Sequence, residues 1–171
     1  MKCFSIPFLL LLIMGASCGD GNKHQKQYTE AEIRDQLIDY NKGKMNSEDD
    51  YITSYVESHQ LDMQKSDTGM RFLIAHTGEG DSIRVGEPIE VGYDIRLDDS
   101  TLCYSSKVSG PLQMLVEGSE APPGFHEVVQ KMRRGDSARC IWPSRLGYGM
   151  TGDLHKIPLN AVLLVDLEVK K

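Results

Sequence analysis

The 171-residue chain lacks most of the patterns that announce a chemistry. Its four cysteines, at positions 3, 18, 103 and 140, form no Cys-x-x-Cys pair, which argues against a zinc site or a thioredoxin-type redox motif. Its five histidines, His24, His59, His76, His126 and His155, show no helical i,i+4 pairing, so no metal site is expected. Ser105, Ser106 and His126 lie outside any Gly-x-Ser-x-Gly setting, so a hydrolase is not indicated. Basic runs are also missing. With 19 basic and 25 acidic residues and a formal net charge of −6, the chain argues against a nucleic-acid partner. No internal repeat is visible.

A hydrophobic content of 40% is enough for one ordinary domain with a real core, plus extensions. The apolar run from Phe4 to Met14 is too short to span a bilayer and follows Lys2, which gives residues 1–17 the shape of a signal peptide. Gly15-Ala16-Ser17 run into Cys18, an arrangement similar to a bacterial lipobox, although Gly15 stands where leucine is commoner. Cys18 is therefore expected to be the lipidated first residue of the mature chain, the alternative being a plain secretory signal with Cys18 incidental. Residues 18–28 are polar and read as a tether. The chain is expected at the cell envelope, lipid-anchored to a membrane and facing periplasm or cell surface.

Residues 29–63 predict a helical extension in two pieces. Thr29 and Glu32 have capping-box spacing, with Ile33, Leu37 and Tyr40 following on one face. Ser47 to Asp50 open a second helix carrying Ile52, Tyr55, Val56 and His59. Packing or spacing explains both; a dimerisation or client-binding arm is the functional alternative.

Residues 68–171 predict an α+β domain. Strands are expected at Met70–Ala75, at Ile89–Leu97, where apolar and polar residues alternate, and at Thr101–Ser106 beyond an Asp98-Asp99-Ser100 hairpin turn. Further strands are expected at Leu112–Val116, Asp136–Pro143 and Ala161–Val169. One short helix carries Phe125, Val128, Val129 and Met132, with Gly135 as its C-terminal stop. Gly147, Gly149 and Gly152 surround Tyr148, so the backbone there turns tightly or passes close to something. Cys103 and Cys140 read as free, buried thiols, because each occupies a core-type strand position.

The motifs Val91-Gly92-Tyr93, Cys103-Tyr104-Ser105-Ser106, Gly124-Phe125-His126-Glu127, Gly135-Asp136-Ser137-Ala138, Leu146-Gly147-Tyr148-Gly149 and Ile157-Pro158 stand in one order. In that order they resemble the FK506-binding-protein (FKBP) type peptidyl-prolyl cis-trans isomerases across residues 68–171. The helical lead-in and lipobox add a similarity to bacterial FKBP-like lipoproteins, including gliding-motility-associated ones. The resemblance implies a curved antiparallel sheet wrapped around one short helix, and catalysis of X-Pro rotation without a cofactor. It implies a pocket with Phe125 as floor, where many relatives carry tryptophan, and Tyr93, Leu112, Ala121 and Ile157 as walls. Tyr148 would donate its hydroxyl to a substrate carbonyl. The implied partners are prolyl segments of exported proteins.

Several positions depart from the family. Cys103-Tyr104 replaces Phe-Asp, which removes an aromatic wall and a buried carboxylate from the pocket. Leu112 and Val165 stand where aromatics are common, and Pro122 occupies a position whose backbone N–H binds ligand in relatives. These changes imply a wider pocket with fewer donors. They leave open a catalytically weak or inactive binding or chaperone module on the same fold.

Overall fold

The computed structural model describes residues 28–76 and 80–170. The expected signal peptide, Cys18 and nearly all of the tether lie outside the described residues, as does most of a turn expected at 77–81. In chain order the elements are α1 (Glu30–Ser58), β1 (Gln64–Lys65), β2 (Arg71–Ala75), β3 (Pro88–Leu97), β4 (Leu102–Ser105), α2 (Ser106–Ser109), β5 (Leu112–Leu115), α3 (Pro123–Val129), β6 (Ser137–Trp142) and β7 (Leu163–Val169). A 3-10 turn, Ser144–Leu146, follows β6.

The strands form one antiparallel sheet in the order β1-β2-β6-β7-β3-β4, with β5 paired to the first half of β3. Alternation fixes which face each strand buries. Ile89, Val91 and Ile95 of β3 point inward, as do Leu163, Val165, Leu167 and Val169 of β7 and Ala138, Cys140 and Trp142 of β6. β3 turns into β4 through Asp98-Asp99-Ser100, where Ser100 takes the left-handed conformation at φ 69° that a glycine usually supplies. The inward face is covered by α3, through Phe125, Val128 and Val129, each worth roughly 1.5–3 kcal/mol on full burial. Gly124 makes that closeness possible: a Cβ there would sit 2.5 Å from the Trp142 ring. An α+β fold with one short helix on the greasy face is what the sequence implied.

Four local expectations need correction. The lead-in is one helix, α1, of 29 residues, not two. It keeps the expected capping box between Thr29 and Glu32. It continues through Gly43 because no proline interrupts it and its second half is fastened to the domain. Ile33, Leu37 and Tyr40 remain exposed, while Ile52 is fully buried. α3 ends at Val129. Gly135, at φ 88°, belongs to a separate turn in which Asp136 N–H donates to Arg133 O (3.0 Å) and the buried Asp136 carboxylate accepts from Arg133 N–H (2.9 Å). The last strand begins at Leu163 rather than Ala161. Ser106–Ser109 is a short helix, not an end of strand, capped by the Ser105 hydroxyl. Among the described residues no helix is long and apolar enough to cross a membrane.

Candidate functional site

Three rings from three elements build the floor. Phe125, at the start of α3, lies edge-on to Trp142 of β6 with centroids 5.0 Å apart, and Tyr93 of β3 lies edge-on to Phe125 at 5.8 Å. Both are T-shaped contacts in which a positive ring edge meets a negative face. Trp142 has no exposed surface and Phe125 only 2%. The tryptophan that the family resemblance places on the helix is thus matched in bulk by one on the adjoining strand, over a glycine that leaves room for it.

The other expected site residues divide by burial. Cys103, Ile157 and Val165 belong to the buried core, and Tyr93, Tyr104, Leu112, Ala121 and Tyr148 are half-buried against it. All nine belong to, or pack against, one apolar core. Val165, 1% exposed, is as deeply buried as Phe125 and Ile157. Cys103 lies under the loop that carries Ile157, its thiol facing Lys156 O at 3.7 Å. Burial pushes the Cys103 thiol up and takes Cys140 to about 12. Both cysteines are free and buried, as their strand positions implied.

Ala121 is fixed by His126. The Nδ1 of this histidine accepts from Glu117 N–H (3.0 Å), so Nε2 carries the proton and donates to Ala121 O (3.2 Å). Ser106 Oγ accepts from Tyr93 N–H (2.9 Å), and Ser105 Oγ donates to Asp94. The two serines and His126 are thus each spent on structure.

The loop of residues 147–162 carries the polar side of the site. Gly152, at φ +65°, passes so close to the returning chain that a Cβ would sit 2.2 Å from Ile157 O. That contact is what the glycine cluster signalled. Among the described residues the Tyr148 hydroxyl makes no hydrogen bond. Burial raises its pKa, with the Asp153 carboxylate and the Tyr93 and Cys103 side chains adding to the effect. It is a protonated donor at neutral pH.

Asp153 escaped the sequence reading. Its Oδ1 accepts from the N–H groups of His155 (2.9 Å), Lys156 (2.9 Å) and Ile157 (2.8 Å), and its Oδ2 accepts from the Tyr104 hydroxyl. Burial alone would raise this carboxyl, but the bonds from Tyr104 and the three backbone N–H groups outweigh it and hold it at about 2. The same bond, with burial behind it, pushes Tyr104 up to about 12. Lys156 places its ammonium 5.0 Å from the Tyr104 ring centre and donates to Cys103 O (2.9 Å). Tyr104 thus meets a carboxylate from position 153 across the loop. The available signal was an aspartate followed by free backbone donors, a common turn device.

Comparison with known proteins decides what this architecture belongs to. Residues 80–170, more than half of the chain, match the family of FKBP-type peptidyl-prolyl cis-trans isomerases. The chain belongs to that family. FkpA of Neisseria meningitidis serogroup B is 34% identical over 105 residues, covering 61% of this chain and 38% of the relative. The crystal structure of FkpA from Escherichia coli superposes with a TM-score of 0.63 at 21% identity, over 85% of this chain and 73% of that one, a likeness of fold. The crystal structure of AtFKBP13 gives 0.60 at 26% identity, over 63% of this chain and 96% of that one. The chain spans less than half the length of the curated bacterial relatives it matches.

Proposed function

We propose that this chain is a peptidyl-prolyl cis-trans isomerase that takes X-Pro segments of exported proteins into an apolar pocket over Phe125. The observation that carries the reading is Tyr148: a half-buried phenol without a hydrogen bond among the described residues, packed against the same apolar cluster as Phe125. A phenol that keeps its donor free among the described residues, while its ring packs in that cluster, is suited to a ligand carbonyl.

Rotation about X-Pro is opposed by amide resonance, with a barrier of roughly 18–20 kcal/mol. The twisted transition state has lost that resonance, so no nucleophile, metal or proton relay is needed. A water-poor wall formed by Phe125, Ile157, Leu112 and Ala121 favours the less polar twisted amide over the planar one. A donor from Tyr148 holds the flanking carbonyl while the bond turns. The exposed Met150, Leu154 and Leu159 on the site loop offer an apolar rim to residues beside the proline.

Cys18 would carry a lipid that keeps the domain at a membrane of the cell envelope. Several acyl chains, at roughly 0.8 kcal/mol per buried methylene, make such attachment permanent in practice.

A second reading, a binding or chaperone module with little turnover, is favoured by two observations. Pro122 has no N–H to offer a ligand, and Tyr104 spends its hydroxyl on Asp153. A refolding assay limited by proline isomerisation separates the two. The isomerase accelerates the slow phase at catalytic amounts, whereas the module binds prolyl peptide without doing so.

A further inference from the structure

The site loop is fastened at both ends to α1, an element outside the sheet. The 3-10 turn Ser144–Leu146 begins after Pro143, whose side chain cannot cap it. The Ser144 N–H at that start needs an acceptor. Glu48 of α1, 96 positions earlier in the sequence, provides it: Oε2 accepts from Ser144 N–H (3.2 Å) and Oε1 from Ser144 Oγ (2.6 Å). The Glu48 side chain is only 12% exposed, and both its oxygens accept from this one serine, with Lys44 Nζ 3.9 Å from Oε1.

Ser144 in turn determines where Tyr148 lies. Its carbonyl oxygen accepts from Gly147 N–H (3.0 Å) and Gly149 N–H (2.8 Å), the amides on either side of Tyr148. At the far end, Gly149 O accepts from Asn160 N–H (2.8 Å), and the Asn160 side-chain oxygen accepts from Lys44. Lys44 and Glu48 stand one helical turn apart on α1, 3.9 Å from each other. The helix is itself pinned to the domain by Tyr51, which donates to Asp98 (2.6 Å), and by Asp49, which pairs with Arg71 (3.0 Å) and Lys65 (2.7 Å).

We propose that Glu48, seconded by Lys44, is a positioning residue for prolyl isomerisation. The second half of α1 sets where the Tyr148 hydroxyl points, by gripping the loop of residues 144–160 at both ends. This rests on the isomerase reading above. It gives the helical extension a task in the reaction that requires no contact with substrate. It also explains why the helix docks only over its second half, where Lys44, Glu48, Asp49, Tyr51 and Ile52 lie, while residues 30–43 are exposed.

The test compares the full chain with Glu48→Ala, Glu48→Gln, Lys44→Ala, Tyr148→Phe and the Glu48→Ala/Tyr148→Phe double variant. Proline-limited refolding, thermal unfolding and backbone hydrogen exchange are measured on each. Losing one hydrogen bond to the substrate costs about two- to twelve-fold in kcat/KM, the ceiling expected for Tyr148→Phe. Glu48→Ala is expected to lose no more than that, with Glu48→Gln recovering part of it. The double variant should lie within about two-fold of Tyr148→Phe alone, because both changes remove the same contact. A lower melting temperature with undiminished kcat/KM, or a double variant whose losses multiply, overturns the proposal. If Glu48→Ala does not fold, Lys44→Ala, at a more exposed position, takes its place in the cycle. If the unaltered protein has no isomerase activity, the isomerase reading fails, and exchange decides the bracing separately. Faster exchange at Gly147 and Gly149, with β3 and β7 unchanged, upholds it; unchanged exchange there overturns it.

Discussion

Asp153→Asn is a narrow perturbation with a calculable result. The asparagine carbonyl can still accept from the N–H groups of His155, Lys156 and Ile157, as Oδ1 does in the native loop. Its amide nitrogen cannot accept from the Tyr104 hydroxyl as Oδ2 does; at best it donates to that oxygen, a neutral bond in place of the charge-assisted one. One hydrogen bond to a charged acceptor is lost, worth roughly 1.5–3 kcal/mol when shielded from water. Both groups are partly exposed, so solvent screening reduces this to about 1 kcal/mol. The melting temperature should fall by about 2–4 °C for a chain of 171 residues.

The pH dependence is more diagnostic. The folded-state carboxyl sits at about 2 against an ordinary 3.8. Its contribution is therefore complete above the ordinary value and is lost as pH falls towards 2. Tyr104 is raised from 10.0 to about 12, so its contribution is complete below 10 and is lost as pH rises through 12. Asp153→Asn should flatten both limbs. Urea midpoints read from the fluorescence of Trp142, the single tryptophan in the sequence, at a series of pH values would measure this. An unchanged midpoint at pH 7 together with an unchanged acid limb would refute the pairing.

Three further outcomes follow from the site and the leader. Tyr148→Phe should lower kcat/KM by about two- to twelve-fold with little change in stability, since one hydroxyl is removed and the ring stays; equal peptide affinity and rate in an active, folded protein would make the tyrosine structural. Phe125→Ala removes a residue that is 2% exposed and packed edge-on between Tyr93 and Trp142. It should cost about 3–5 kcal/mol of stability, measured by urea unfolding alongside activity so that a lost floor is not mistaken for a lost fold. Cys18→Ala should move the protein from the membrane to the soluble fraction, and intact-mass analysis finding no lipid on the native N-terminus would contradict the anchor.

Strand periodicity made most of the sheet legible in the sequence. Alternation from Ile89 to Leu97 and from Leu163 to Val169 is set by burial on one face, a local property that survives without knowledge of the partner strands. The gathering of Tyr93, Phe125, Tyr148 and Ile157 was legible only through the family resemblance, since each is also an ordinary core or loop residue. Features made by distant pairs were not legible. Asp153 owes its role to Tyr104, 49 positions away, and Glu48 to Ser144, 96 positions away. Helix limits failed for the same reason. The continuity of α1 depends on what its second half grips, and the early end of α3 depends on the turn closed by Asp136. Alternation with Ala138 and Cys140 places Trp142 on a core face, but its pairing with Phe125 needed Gly124 to be placed against it.

The proposed isomerase turns over prolyl bonds rather than merely holding them. Refolding of a client whose slow phase is set by proline isomerisation, in the presence of substoichiometric full-chain protein, tests it most directly. The account predicts a slow phase whose rate rises in proportion to added protein, with the slope reduced in Tyr148→Phe. A slow phase that keeps its uncatalysed rate at every concentration, while prolyl peptide still binds, would contradict it and leave a binding module in its place.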